Sequence, residues 1–91
     1  MNVQHLVTMA NQIGAFFVSQ AEREEAIGAI ADHLRRFWEP RMRLAIIGHV
    51  AAGGAGLLDE VAEAVRRLPL PPDASDARNE TGSVVRKGAS G

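Results

Sequence analysis

A chain of 91 residues has room for one domain. Ten Lys and Arg against eleven Asp and Glu leave a net charge of −1, which excludes a nucleic-acid binder whose whole surface is basic. The absence of cysteine excludes a disulfide framework, thiolate-ligated zinc, iron–sulfur ligation by cysteine and a thiol nucleophile.

Residues 1–68 hold 36 of the 42 hydrophobic residues, so the apolar content places a helical domain at 1–68 and a tail at 69–91. Val3, Leu6, Val7, Ala10, Ile13 and Phe17 recur at three- and four-residue steps. That spacing predicts a helix over about 2–18, capped by Asn2, with Gly14 marking close backbone packing. Phe16 lies off the stripe, free to pack on the next segment or to face a partner. A second helix is predicted over about 20–38. Ser19 and Glu22 fit a capping box, and Ile27, Ile30, Ala31, Leu34 and Phe37 form its apolar stripe. Glu22, Glu24 and Glu25 at its start and Arg35 and Arg36 at its end suit the helix dipole, and Asp32 and Arg36 are spaced to pair.

Pro40 ends that segment and suits the first position of a third helix, about 40–52. Met42, Leu44, Ala45, Ile46, Ile47, Val50 and Ala51 cover most of its wheel, as expected of a helix that touches its own core and something else. Gly53, Gly54 and Gly56 form a turn into a fourth helix, about 57–68, whose face is Leu57, Leu58, Val61, Ala62, Val65 and Leu68. Three of the four prolines fall in the tail, which shows no periodicity and is expected to be disordered or to order only on a partner. The fold class is therefore all-α: a small bundle of three to four short helices with a disordered C-terminal tail.

The uncharged first 21 residues lack a basic n-region and an unbroken apolar core, unlike a secretory signal. The uncharged run from Leu44 to Leu58 has 15 residues, short of the roughly 20 that span a bilayer. A cytoplasmic protein with no membrane partner is expected. His5, His33 and His49 have no helical ligand spacing and no carboxylate that completes a metal triad. The glycine turn is followed by no phosphate-binding lysine and preceded by no strand. No catalytic, cofactor-binding or metal-binding residue is predicted in this chain.

The densest feature is residues 34–43. Arg35, Arg36, Arg41 and Arg43 against Glu39 give +3 locally on a background of −4, and the sole tryptophan, Trp38, sits between Phe37 and Glu39-Pro40. Arg and Trp dominate interface hot spots, and Arg pairs bidentately with carboxylates and phosphates. Two readings stand: a partner-docking corner made of Arg35, Arg36, Phe37, Trp38, Glu39, Pro40, Arg41 and Arg43, or a helix–helix corner with Phe37 and Trp38 inside and the arginines solvated. Nucleic-acid binding fits poorly, because the basic footprint is small and only one aromatic pair is available for stacking.

Met9-Ala10-Asn11-Gln12-Ile13, Phe16-Phe17 and the run Ile30-Ala31-Asp32-His33-Leu34-Arg35-Arg36-Phe37-Trp38-Glu39-Pro40-Arg41-Met42-Arg43, with His49 and Gly53-Gly54-Ala55-Gly56-Leu57, resemble the delta subunit of soluble NAD-dependent formate dehydrogenases. The resemblance covers about residues 1–68. It implies a small accessory subunit without a redox centre of its own, associated with assembly, stability or cofactor retention. The large catalytic subunit of that family's complex carries a molybdenum or tungsten bis-pterin centre and iron–sulfur clusters, and other subunits bind flavin and NAD. The resemblance carries over no catalytic residue; residues 30–43 become the expected contact surface, with Trp38 filling a pocket and the arginines meeting acidic groups or pterin phosphates. A free-standing chaperone for molybdenum-cofactor insertion, absent from the mature enzyme, is the alternative.

Overall fold

The computed structural model describes residues 2–71, within which there are four helices: α1 Val3–Gln20, α2 Arg23–Phe37, α3 Pro40–Ala51 and α4 Asp59–Arg66. Helix α1 packs against the other three, and α4 also packs against α2 and α3. The core is built from the stripes that the spacing predicted. Leu6, Val7 and Ala10 of α1 meet Ile27, Ile30 and Leu34 of α2, Ile46 of α3, and Val61, Ala64 and Val65 of α4. Each fully buried aliphatic side chain contributes about 1.5–3 kcal/mol, so these residues outweigh any surface pairing.

The helix ends explain where the predicted boundaries move. Asn2 caps α1 as expected, its Oδ1 accepting from the Gln4 N–H at 2.9 Å. The Ser19–Glu22 capping box does not form. Helix α1 runs on to Gln20, so the Ser19 hydroxyl donates backwards to the Phe16 carbonyl at 2.7 Å, and Glu22 precedes α2 without a side-chain cap. Pro40 takes the first position of α3, as predicted. Helix α4 starts two residues later than expected because Leu58 is extended; Leu57 packs on the core, whereas Leu58, expected on the apolar face, is exposed. Helix α3 buries only Ile46 fully and leaves Leu44 exposed, so its nearly all-round apolar wheel exceeds what this chain covers. Of the expected tail, Pro69 and Leu70 are exposed and Pro71 is buried; residues 72–91, including the rest of the expected disorder, lie outside the described residues.

Ion pairs tie α4 to α2. Arg23 meets Glu60 at 3.1 Å, and Arg67, just past α4, meets Glu24 at 2.6 Å. The hydrogen bond and positive charge of Arg67 hold the Glu24 carboxyl below its ordinary value, and the same bond raises Arg67. A depressed folded-state pKa means that this tie stabilises the fold above the ordinary carboxylate range and stops doing so as pH falls through the depressed value. Glu24→Gln is therefore expected to lower stability slightly at neutral pH, with the gap to the parent closing on acidification. Urea midpoints measured for both chains from pH 7 to pH 2 check this, and a gap independent of pH would refute it.

Candidate functional site

Residues 34–43 form the corner between α2 and α3, and the structure separates their roles. The Trp38 N–H donates to the Leu34 carbonyl at 3.0 Å, closing α2. Trp38 itself is extended (φ −88°, ψ 138°), and its side chain turns into the chain's own core, where it is 5% exposed. Phe37 remains on the last turn of α2 and is 70% exposed. Both sequence readings of this aromatic pair therefore need correction: Trp38 is not offered to a partner's pocket, and Phe37 is not inside. Two adjacent residues on opposite sides of a helix end cannot both follow the helical stripe.

The four arginines divide in the same way. Arg43, half-buried on α3, reaches back to the end of α2, its Nη1 donating to the carbonyls of Arg35 at 2.9 Å and Trp38 at 2.7 Å. Those two carbonyls lie at a helix C-terminus, where a guanidinium satisfies both the open acceptors and the dipole. Arg43 is therefore a brace of the corner itself. Arg35 and Arg36 share Asp32, with N–O distances of 3.0 Å for each, and all three side chains are roughly half exposed. Arg41 is exposed, and no ion pair engages it among the described residues. Glu39 and Pro40 are exposed at the start of α3. The surface offered outward is thus Phe37 with Arg35, Arg36, Glu39, Pro40 and Arg41, held in place by buried Trp38 and bonded Arg43.

Residues 5–65 match the family model of the NADH-dependent formate dehydrogenase delta subunit FdsD. The chain belongs to this family. No curated protein and no solved structure matches it significantly. The match spans the α2–α3 corner, all three histidines and the glycine turn. Among the described residues of this FdsD-family chain, no helix is long and apolar enough to cross a membrane, and no three His, Asp or Glu side chains converge as a metal site would need.

A second polar constellation fixes the α3–α4 connection. Asn11 on α1 donates from Nδ2 to the Gly56 carbonyl at 2.8 Å and accepts on Oδ1 from the Leu58 N–H at 3.0 Å. His49 on α3 bonds through Nε2 to the Ala55 carbonyl at 2.8 Å, which requires the proton on Nε2. Gly53, Gly54 and Gly56 have φ of 125°, 68° and 86°, conformations that a side chain strongly disfavours. In the sequence Asn11 stands out only as part of the Met9–Ile13 run, with no structural role. Its partners lie 45 and 47 residues away, so no local pattern announces them. Asn11→Ala removes both bonds and is expected to cost about 1–2 kcal/mol, with faster amide exchange at Leu58. An unchanged denaturation midpoint and unchanged exchange would refute this role.

A groove of about 410 Å³ opens beside α3 and α4, lined by Ile47, Val50, Ala51, Val65, Leu68 and Leu70 and edged by Arg66. It lies between the C-terminal half of α3 and the end of α4, with core residues Val65 and Leu68 in its lining.

Proposed function

We propose that this chain is a non-catalytic accessory subunit of a cytoplasmic NAD-dependent formate dehydrogenase, supporting assembly, stability or cofactor retention of the large catalytic subunit. Membership of the delta-subunit family over residues 5–65 carries this reading. The absence of cysteine from the chain supports it, since cluster ligation by thiolates falls to other subunits. In this reading molybdenum or tungsten bis-pterin, iron–sulfur clusters, flavin and NAD all reside on the partners.

Docking runs through the α2–α3 corner and the outer face of α3. Phe37 is the apolar anchor. Arg41, which no carboxylate engages among the described residues, pairs with an acidic group on the large subunit, and Arg35 and Arg36 exchange Asp32 for partner carboxylates. Leu44 and the Ile47–Leu70 groove add apolar area alongside.

The test is co-expression of the full chain with the other formate dehydrogenase subunits, followed by pull-down through this chain. The parent is expected to retain the large subunit, and Phe37→Ala and Arg41→Ala are each expected to weaken retention about tenfold. Failure of the parent to retain the large subunit would overturn the assignment. Undiminished retention by both variants would overturn the corner as its docking site. Purified active enzyme that lacks the chain at stoichiometric amount would replace a resident subunit with a transient assembly factor.

A further inference from the structure

Phe16 and Phe37 are the two most exposed large hydrophobic residues among the described residues, at 59% and 70%. They lie on different helices and 21 positions apart, yet they are the two ends of one chain of rings. Phe16 meets Phe17 edge-on, with centroids 5.2 Å apart and planes at 74°. Phe17 meets His33 at 6.1 Å and 61°, and His33 meets Phe37 at 4.8 Å and 45°. The two inner rings are half-buried. Single exposed apolar side chains are ordinary, but a contiguous aromatic band across two helices is the kind of patch that marks an interaction site.

We infer that the Phe16–Phe17–His33–Phe37 band extends the docking surface from the α2–α3 corner onto α1, and that it seats on an apolar, carboxylate-edged surface of the large catalytic subunit. The charge around the band sets the chemistry of the surface that covers it, and the proposed subunit role supplies the partner. Its Phe37 end carries Arg36, which shares the half-exposed Asp32 with Arg35, and on the following helix Arg41, which no ion pair engages among the described residues, so the covering surface is expected to supply acidic groups there. A second copy whose twofold axis passed through the Phe37 end would set these arginines against their own counterparts, a like-charge juxtaposition that opposes that symmetric arrangement. The inner rings support the outer ones: Phe17 packs against the hydrophobic core, so Phe16 and Phe37 are presented on a fixed base rather than on mobile side chains.

This inference rests on the proposed subunit role, and the experiment separates the two. Phe16→Glu places a charge at the end of the band farthest from the arginine corner, at a position exposed enough to leave the fold intact; a parent-like circular dichroism spectrum and melting curve verify that. In the same pull-down, the parent chain is expected to retain the large subunit and Phe16→Glu to retain it about tenfold less well or worse. Retention by Phe16→Glu equal to the parent, while Phe37→Ala weakens it, would overturn the band and leave the corner standing. No retention by the parent would overturn the subunit role and the band with it. A free chain that sediments as a dimer, dissociated by Phe16→Glu, with retention of the large subunit unchanged, would assign the band to self-association and overturn the inference. Should Phe16→Glu alter the fold, Phe16→Ser, which introduces no charge, is subject to the same criteria.

Discussion

Trp38→Ala is expected to destabilise the chain by about 3–5 kcal/mol, the cost of emptying a buried aromatic site. Marginal stability is the reason this effect is severe: a small domain holds roughly 0.05–0.15 kcal/mol per residue, so the loss is comparable with the whole. The side chain is 5% exposed and belongs to the same core cluster as Leu34, Ile46 and Leu68. The Arg43 bond to the Trp38 backbone carbonyl, which joins α3 to the end of α2, is available to alanine as well, so the expected loss is one of side-chain packing. Phe37→Ala, one residue earlier, is expected to change stability by less than about 0.5 kcal/mol, since its ring is mostly in solvent already. Urea denaturation of the two purified variants, followed by circular dichroism, tests the pair. Similar midpoints for both would contradict the assignment of Trp38 to the fold and Phe37 to the surface. The contrast also governs how the docking experiments are interpreted: loss of complex by Trp38→Ala reports unfolding, whereas loss by Phe37→Ala reports contact.

The helices were legible because their determinants are local and periodic. Leu6, Val7 and Ala10, then Ile27, Ile30 and Leu34, then Val61 and Val65 sit at the spacings that put them on one face, and all are buried. Pro40 and the three positive-φ glycines were legible for the same reason, since each imposes a backbone conformation on its own position. The corner was legible as a concentration of charge and aromatic area, and so was the excess of apolar surface on α3. The division of labour within the corner was not. Whether Phe37 or Trp38 turns inward depends on the residue at which α2 stops, and helix ends shift by one or two residues under tertiary forces. The Ser19 box failed for the same cause, because α1 continued through the residue expected to cap α2. Arg43 read as one more free cation, and its bonds to carbonyls five and eight positions back depend on how α3 folds against α2. Asn11 and the aromatic band lie beyond any local pattern, since both join residues that only the packed helices bring together.

Gly14→Ala is expected to destabilise the chain by about 1–2 kcal/mol, although alanine is the better helix former. Mid-helix alanine is favoured over glycine by about 1 kcal/mol, so intrinsic propensity alone predicts a gain. Packing decides the sign. Gly14 is buried where α1 crosses α4, and a Cβ placed on it overlaps Val61 Cγ2, on a β-branched side chain that is itself fully buried. Overpacking of this kind typically costs about 1–3 kcal/mol. Val61→Ala alone is expected to cost about 1–3 kcal/mol, through lost burial and a small cavity. The two changes answer each other, because removal of the Val61 methyl groups opens the space that the alanine methyl needs. The double variant is therefore expected to be more stable than the sum of the single effects implies, with a favourable coupling of about 1 kcal/mol or more. Denaturant midpoints of the parent, the two single variants and the double variant measure that coupling directly. Strict additivity would mean that α1 and α4 do not meet at Gly14 and Val61; a stabilising Gly14→Ala would mean that propensity, not close packing, governs this position.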